Sequence, residues 1–306
     1  MLSAKASELH QGSDSSKLLI YNITCDPHFE KNCPKSESLE AIAAELKEMP
    51  RDVAVKIVSK IPQLQLNTTV HFSTFSALAI IGHDENTAIL CSGESDILQL
   101  GAGIVLSDIG DKIVLNNLNL TSCGFKPGDA LNQTLETLNE YSTSLSALTI
   151  FHCSNIEVRE LIIERSKGVG LMILNHSGGI VKVVSTVFKE NKPPKNNNTN
   201  YGGGGVYIEL SGGPLFPITF LFENCTFINN TSSPDFRYEY LDGIDRNGGG
   251  VYVVIKDGSH NVYISFAYCN FTANQASFSG GMCINFHNDN DNKPLRNITV
   301  EIKDTF

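Results

Sequence analysis

Short segments in which apolar and polar residues alternate recur along most of the chain. Six of them follow a Gly or Ala residue and place apolar side chains at the first and third positions after it. The six apolar pairs are Ile104 and Leu106, Leu148 and Ile150, Leu171 and Ile173, Val206 and Ile208, Val251 and Val253, and Met282 and Ile284. A period of two is the repeat of a β-strand, so each segment is predicted to be a strand with one buried face.

A second pattern follows within five of these units and contains four inward positions, which are separated by two, three and two residues. The sets are Ile113-Leu115-Leu118-Leu120, Ile156-Val158-Leu161-Ile163, Val181-Val183-Thr186-Phe188, Phe220-Phe222-Cys225-Phe227 and Ile264-Phe266-Cys269-Phe271. The step of three breaks the alternation, so the chain must bend there to keep both halves facing inward. Two strands with a corner, together with the strand after the small residue, make three strands in each unit.

Three strands per unit, repeated in register, indicate an all-β fold, the right-handed parallel β-helix, in which each turn stacks on the last at about 4.8 Å. The motif Phe-x-x-Asn recurs in three turns, as Phe188 and Asn191, Phe227 and Asn230, and Phe271 and Asn274. The phenyl rings are expected to stack inside, and the asparagines are expected to form an amide ladder. The same register predicts that Cys225 and Cys269 face inward as neighbours on adjacent turns.

The N-terminal residues follow a helical pattern instead. One helical face is formed by Leu39, Ile42, Ala43 and Leu46. This amphipathic helix is expected to end at Pro50 and to cover the open end of the stack, where unpaired strand edges would invite aggregation. We therefore expect an N-terminal extension and helical cap over residues 1–50. The parallel β-helix is expected over residues 51–306, truncated at the C-terminus within a strand that begins at Ile298.

These motifs resemble the right-handed β-helix surface proteins, including the chlamydial polymorphic membrane proteins, which carry repeated FxxN and GGA-(Ile/Leu/Val) motifs. The chain departs from the glycine motif, because Gly204-Gly205-Val206, Gly249-Gly250-Val251 and Gly280-Gly281-Met282 lack the alanine. Its start, from Tyr21 through Cys25 and Cys33 to Glu40, is similar to that of β-helix proteins of simple animals. The resemblance covers the chain from about residue 18 and implies the fold, which hosts both enzymes and adhesins.

Charge and hydropathy narrow the possible functions. The 306 residues carry a formal net charge of −10, and no Lys- or Arg-rich cluster appears, so a role in nucleic-acid binding has no electrostatic support. No apolar run approaches the ~20 residues that a membrane helix needs. The first residues lack the basic start and apolar stretch of a signal peptide. We therefore expect an incomplete chain that has no transmembrane segment.

Asparagine sequons point to the extracellular space or the cell surface. The Asn-x-Ser/Thr motif occurs eleven times, which is more than an Asn- and Thr-rich chain produces by accident. The candidate glycosylation sites are Asn22, Asn67, Asn119, Asn132, Asn175, Asn197, Asn224, Asn229, Asn230, Asn270 and Asn297. Eight cysteines agree with such a compartment.

Cysteine pairing stays open at this stage, because eight cysteines allow 105 pairings. Cys25 and Cys33 form the favoured disulfide candidate, since their short loop is independent of the ladder. For Cys225 and Cys269, a disulfide and a pair of free buried thiols are both compatible with adjacent inward positions.

An active site of the kind found in β-helix lyases and hydrolases needs carboxylates that converge on an outer face. The two outward columns contain no paired acids; they are Val105, Thr149, Met172, Tyr207, Tyr252 and Cys283, and Val114, Glu157, Lys182, Leu221 and Ser265. Asp108 is predicted beside His152, as an acid–base pair or as two polar corner residues. Asp289 and Asp291 lie in a segment that is more typical of a solvated loop than of a calcium site.

Candidate binding residues come from two sources. Tyr207 and Tyr252 are expected to stack as exposed aromatics, as the sugar-binding faces of proteins do. Segments 124–146, 191–204 and 231–248 all follow the same strand of the unit, so they leave the stack at one corner, where solenoids often bind partners. The preferred contact loop is 235–246, which contains Phe236, Arg237, Tyr238 and Tyr240.

Together these patterns predict an extracellular or cell-surface adhesion or recognition scaffold without enzymatic activity, metal or cofactor. Its partners are expected to be glycans or cell-surface proteins. An extracellular polysaccharide lyase or glycoside hydrolase is the main alternative, and a purely structural spacer is the third.

Overall fold

The structure, a computed structural model, describes thirteen stretches of the chain. They are residues 3–9, 18–24, 38–47, 52–82, 87–91, 102–124, 146–192, 204–210, 216–232, 248–256, 258–276, 279–287 and 295–306. Within them the chain forms one helix, α1 (Ser38–Leu46), and the strands β1 to β24, numbered in chain order. This helix is neither long nor apolar enough to cross a membrane.

The strands form three sheets. The first sheet contains, in spatial order, β1 (Ser3–Leu9), β2 (Leu18–Thr24), β3 (Ala54–Ser59), β6 (Ala77–Ile81), β9 (Lys112–Asn116), β12 (Ser154–Arg159), β15 (Gly178–Val184), β18 (Ile218–Glu223), β21 (His260–Ala267) and β24 (Arg296–Lys303). The second contains β4 (Gln63–Leu66), β7 (Thr87–Cys91), β10 (Leu118–Thr121), β13 (Ile162–Glu164), β16 (Val187–Lys189), β19 (Thr226–Ile228) and β22 (Asn270–Thr272). The third contains β5 (Val70–Ser73), β8 (Ile104–Ser107), β11 (Ser146–Phe151), β14 (Val169–Leu174), β17 (Val206–Leu210), β20 (Val251–Ile255) and β23 (Met282–Phe286).

The connectivity is that of a parallel β-helix. From β3 onward the chain visits the first, second and third sheets in turn, and each strand pairs in parallel with the strand one turn later. β1 and β2 form the one antiparallel pair in the described chain, and β2 then pairs in parallel with β3. The predicted fold class is therefore confirmed, and the first sheet already begins in the N-terminal extension.

The interior of the solenoid is one apolar core, and the predicted register holds within it. Phe188, Phe227 and Phe271 stack on successive turns, with ring centroids 5.0 and 4.5 Å apart and planes within 10° of parallel. Phe222 and Phe266 stack in the same way at 4.7 Å. Each stacked pair brings aromatic surface out of water in the offset or parallel arrangements that add to simple burial.

A residue in the left-handed region turns the chain at five of the corners between the first and second sheets, from the β9–β10 corner onward. Asn117, Glu160, Ser185, Asn224 and Tyr268 occupy this position with φ between 49° and 56°. The left-handed residue swings the next side chain back into the core, which explains the step of three in the sequence pattern. Because few residue types favour this conformation, the surrounding ladder of strands must impose it.

The predicted asparagine ladder is present between the second and third sheets. Asn191 donates from Nδ2 to Asn230 Oδ1, and Asn230 donates in turn to Asn274 Oδ1, both at 2.9 Å. Each amide also donates to a backbone carbonyl one turn earlier, that of Ile163, Phe188 or Phe227. The buried amides are thereby satisfied along the axis, as buried polar groups require.

The predicted helical cap is confirmed. The apolar side chains of α1 (Leu39, Ile42, Ala43 and Leu46) are all buried in the core. Glu40 Oε1 accepts the backbone N–H groups of Asn67 and Thr68, at 2.8 and 2.7 Å, and the Thr68 hydroxyl at 3.0 Å. Glu45 accepts from the Tyr21 hydroxyl at 3.0 Å, and burial together with this carboxylate raises the pKa of Tyr21 to about 12. The helix thus covers the first turn and satisfies polar groups at its corner.

Cysteine pairing differs in part from the sequence expectation. Cys91 and Cys123 form a disulfide between adjacent turns, with Cα atoms 4.8 Å apart, which the sequence analysis missed. Cys225 and Cys269 are buried neighbours as predicted, and both are free thiols. The hydrogen bond to Cys269, together with burial, raises the pKa of Cys225 well above its usual range. The Cys25–Cys33 candidate lies outside the described residues.

Candidate functional site

The outer face of the third sheet is buried, contrary to the sequence expectation. Tyr207 and Tyr252 are each only 3% exposed, so the prediction of an exposed aromatic face is wrong. A second apolar cluster occupies this face and contains Phe151, Val169, Met172, Leu174, Tyr207, Tyr252 and Val254, with Cys283 packed against it. Strands β14, β17 and β20 are therefore buried on both faces.

The sequence carried a signal for this second cluster. The segments VGLMIL, VYIEL and VYVVI are almost continuously apolar, which is typical of strands that are covered on both sides. Tyr207 and Tyr252 are adjacent in the register, as predicted, and their ring centroids are 5.8 Å apart. They are tilted by 59° to each other, so they form a packed pair and not a flat stacking platform.

A buried carboxylate lies among these apolar residues. The side chain of Glu209 is 2% exposed, and its register neighbours on either side are Leu174 and Val254. Its Oε1 accepts from Lys256 Nζ at 2.6 Å, and its Oε2 accepts from the Tyr207 hydroxyl at 2.6 Å. Sequence reasoning missed this group, because Glu209 occupies an outward position where an acid is ordinarily solvated.

The Glu209 group connects the interior of this cluster to its rim. Lys256 is 39% exposed, so the ammonium group reaches solvent while its partner does not. Asn285 donates to the Tyr252 hydroxyl at 3.3 Å, which places a second polar contact one turn further along the same face. A carboxylate held by one cation and one phenol is suited to fixing strand β17 against the residue that follows β20.

The predicted pair of Asp108 and His152 is present at the corner between the third and first sheets. Asp108 Oδ1 lies 3.7 Å from His152 Nδ1, and both side chains are about half exposed. Both residues are in the left-handed region, with φ of 52° and 50°. The His152 ring stacks on Phe151 with centroids 3.8 Å apart, which fixes its orientation.

A second polar pair lies one turn earlier on the same side. His71 Nε2 is 2.9 Å from Ser107 Oγ. Burial lowers the pKa of His71, and Lys47 lowers it further while Asp108 opposes the shift. A neutral imidazole can accept a proton from a serine hydroxyl, which is the geometry of an activated nucleophile. Ser107 is nevertheless buried, so its hydroxyl is not presented to a substrate.

The outer face of the first sheet carries opposite charges that are already paired. Glu157 contacts Lys112 at 2.7 Å and also bonds Arg159, and these two cations lower the pKa of the Glu157 carboxyl. Lys182 contacts Glu223 at 3.3 Å on the same face. The described residues contain no group of three or more His, Cys, Asp or Glu side chains that could hold a metal ion. Asp289 and Asp291 lie outside the described residues.

The preferred contact loop also lies outside the described residues, including Phe236, Arg237, Tyr238 and Tyr240. Its attachment points are described. The last described residue before the loop is Ser232, which follows β19 of the second sheet. The first described residue after it is Gly248, which precedes β20 of the third sheet, so the segment 233–247 connects these two sheets.

The position of Asn230 is incompatible with its prediction as a glycosylation site. Its side chain is 0% exposed, and Nδ2, the atom that would carry a glycan, donates to Phe188 O and Asn274 Oδ1. The sequon alone did not distinguish Asn230 from its neighbour Asn229. The Phe-x-x-Asn motif, which assigns Asn230 to the ladder, was the signal that separates them.

No known protein family, curated protein or solved structure matches this chain. Its class is therefore defined by its own architecture, a parallel β-helix of three sheets with a helix at the N-terminal end.

Proposed function

We propose that the protein is an extracellular or cell-surface recognition scaffold, which binds glycans or cell-surface proteins and has no enzymatic activity. The observation that carries this proposal is the placement of its long connections. Of the seven connections that join described strands of the second sheet to the third, four are long; they are residues 92–103, 122–145, 190–205 and 229–250. Their attachment points all lie along one edge of the solenoid.

Stacking spaces the attachment points of these connections regularly along that edge. The first of the four connections follows β7 and the last follows β19, and these two strands are four turns apart. At the spacing of stacked turns, their attachment points lie about 19 Å apart along the axis. A rigid solenoid holds such segments at fixed spacing, and this is how repeat proteins build extended binding surfaces. Long insertions cost little stability by themselves, so their concentration on one edge, and not their length, supports a binding role.

The chemistry of the described residues supports a non-enzymatic role. The charges on the first sheet neutralise each other in pairs, and Glu209 is engaged by Lys256 and Tyr207. Carboxylate catalysis in β-helix enzymes requires two acids facing a common substrate. The outer face of the first sheet presents pairs of opposite charge, which suit adhesion to a neutral or mixed surface.

A binding screen of the secreted chain against glycan and cell-surface protein arrays tests this proposal. The variant Phe236→Ala/Tyr238→Ala/Tyr240→Ala removes the aromatic side chains of the preferred loop. The matched control is Tyr268→Ala, which removes an exposed tyrosine from the corner between the first and second sheets. We expect at least about a tenfold loss of affinity in the loop variant and none in the control. Equal affinity in both variants, or no binding by the wild type, contradicts the proposal.

An extracellular polysaccharide lyase or glycoside hydrolase is the second candidate. It is favoured by one observation, the Asp108–His152 pair at 3.7 Å with His71 and Ser107 one turn away. Incubation with pectin, alginate and related polymers, followed by measurement of new reducing or unsaturated ends, tests it. Cleavage that Asp108→Asn abolishes establishes the enzyme; absence of cleavage by the wild type removes it.

A further inference from the structure

The described sequons are concentrated on one side of the solenoid. Nine of the eleven lie on described residues. Asn119 lies in β10 and Asn270 in β22, both in the second sheet. Asn224 lies at the corner that leads into this sheet, and Asn67 and Asn229 lie at the corner that leaves it. The first sheet carries no sequon from β3 through β21.

Two of these asparagines share a local geometry that accommodates a glycan in the folded protein. Thr121 Oγ1 donates to Asn119 Oδ1 at 2.9 Å, and Thr272 Oγ1 donates to Asn270 Oδ1 at 3.0 Å. Residues two apart on a strand point to the same face, so the hydroxyl of each sequon lies beside its own asparagine. The hydrogen bond uses the carbonyl oxygen and leaves Nδ2, the atom to which a glycan is joined, directed away from the hydroxyl.

The two corner asparagines are presented differently. Asn224 and Asn229 are in the left-handed region, with φ of 53° and 52°, on either side of β19. The turn of the chain at these positions directs the following side chain inward, Cys225 after Asn224 and Asn230 after Asn229. The corner residue itself is left on the outside of the solenoid.

We infer that the outer face of the second sheet is an N-glycan-bearing face, modified at Asn119, Asn224, Asn229 and Asn270, and that Asn230 stays unmodified. Asn119 and Asn270 are four turns apart in the register, which corresponds to about 19 Å, and the two corner sites flank the strand next to β22. Glycans at Asn119, Asn224 and Asn270 leave the outer face of the first sheet uncovered from β3 through β21, whereas a glycan at Asn229 stands where the 229–250 connection begins.

The modification is a group transfer from an oligosaccharide that is carried on a lipid pyrophosphate. A bond forms between asparagine Nδ2 and the anomeric carbon, the bond from that carbon to the pyrophosphate oxygen breaks, and the lipid pyrophosphate leaves. One amide proton passes to a base of the transferase. In the secretory pathway this transfer takes place before the chain folds. A chain that is modified at Asn230 cannot place that amide in the ladder, so it does not reach the folded, secreted state. The folded monomer therefore carries no glycan on Asn230.

Two substitutions separate the adjacent sequons without touching either asparagine. Thr231→Ala removes the Asn229 sequon and keeps that of Asn230, whose third residue is Ser232. Ser232→Ala removes the Asn230 sequon and keeps that of Asn229, whose third residue is Thr231. We expect Thr231→Ala to lose one glycan and Ser232→Ala to lose none, as read from the intact mass of secreted monomer.

The experiment expresses the full chain behind a secretion signal in a eukaryotic host and maps glycopeptides of the folded monomer. The inference rests on the extracellular location in the proposed function. In this host, the fold decides which modified chains are recovered as folded monomer, and this result does not depend on whether the protein binds anything in the array screen. Occupied Asn119, Asn224, Asn229 and Asn270 with a bare Asn230 support the inference. A glycan on Asn230 of folded Thr231→Ala, or bare Asn119, Asn224 and Asn270 in the wild type, overturns it.

Discussion

Asn230 Nδ2 donates to Asn274 Oδ1 one turn away at 2.9 Å, and the same Asn274 oxygen accepts the Asn230 backbone N–H at 3.0 Å. One side-chain oxygen therefore closes two hydrogen bonds between adjacent turns. Asn191 repeats this arrangement with Asn230 at 2.9 and 3.1 Å. The corner between the second and third sheets is thus held by a continuous polar ladder, at a place where neither sheet supplies strand pairing.

Asn230→Ala is expected to destabilise the fold strongly. It removes the acceptor of Asn191 and the donor to Phe188 O and Asn274, and it leaves buried polar groups without partners. At about 1–3 kcal/mol for each unsatisfied group, with some relaxation, the free energy of unfolding should fall by about 3–5 kcal/mol in urea titrations. The control Asn270→Ala changes an exposed strand residue and should cost less than about 1 kcal/mol. Similar losses of unfolding free energy in the two variants would show that the ladder contributes no more stability than an exposed strand asparagine does.

His176 is expected to make stability depend on pH. Its side chain is 5% exposed, and burial lowers its pKa to about 4 from a usual value of 6.5. The unfolded chain therefore binds the proton more readily than the folded chain. The stabilising difference is complete above pH 6.5 and is lost as the pH falls toward 4, with a total of about 3 kcal/mol.

Urea titrations at pH 7.5 and pH 4.5 on the wild type and His176→Leu measure this contribution. The wild type should lose more stability between the two pH values than the variant does. His71, whose pKa burial also lowers, accounts for part of the slope that remains in the variant. An unchanged pH dependence in His176→Leu would mean that His176 is hydrated in solution.

Lys256→Met is expected to cost more than an ordinary surface salt bridge. It leaves the buried Glu209 carboxylate with Tyr207 but without its cation. Because Lys256 is partly exposed, we expect a loss of about 2 kcal/mol, which the double variant Glu209→Gln/Lys256→Met should largely restore. Lys182→Met, which removes a solvent-exposed contact to Glu223, is the matched control and should cost less than about 1 kcal/mol. Failure of the double variant to recover stability would argue against a buried ionised carboxylate.

Cys225 and Cys269 are expected to remain reduced and unreactive in the folded protein. Both side chains are buried, which keeps an alkylating reagent away from either sulfur. The raised pKa of Cys225 also keeps its thiol protonated at neutral pH, whereas the same contact lowers the pKa of Cys269, so the protection of Cys269 comes from burial alone. Iodoacetamide should leave both residues unlabelled in buffer and should label both in guanidinium chloride without a reductant. A peptide map that contains a Cys225–Cys269 disulfide would contradict the free thiols.

The repeat made the core predictable, because every turn uses the same inward positions. The step of three at the corners and the Phe-x-x-Asn motif follow directly from a backbone that repeats, so Phe227, Asn230 and Cys225 were placed correctly. The turns before Gly103 lack the small residue that marks the start of the repeat, so the sequence alignment of the repeats did not include them. For this reason the Cys91–Cys123 disulfide and the His71–Ser107 pair were missed.

The outer faces were less predictable than the core. Alternation identifies one buried face and assigns the other to solvent, which led to the wrong expectation for Tyr207 and Tyr252. Whether an outward side chain is covered depends on parts of the chain that are far away in sequence. The local alternation of apolar and polar residues therefore does not indicate it. The Lys256–Glu209 contact likewise joins residues 47 positions apart on adjacent turns.

Register between adjacent turns determines which side chains lie together. The asparagine ladder depends on it, and so do the proposed glycan-bearing face and the proposed binding role of the edge that bears the long connections. Lys189 and Ile228 are outward-facing partners on adjacent strands, whereas Lys189 and Thr272 are two turns apart. The most direct measurement is fluorescence from a bis-thiol cross-linker, dibromobimane, in Lys189→Cys/Ile228→Cys and in Lys189→Cys/Thr272→Cys, after subtraction of the single variants. Cα separations of about 4.8 and about 10 Å predict bridging in the first pair and none in the second. Equal bridging in both pairs, or bridging in the second pair only, would contradict the parallel in-register stack.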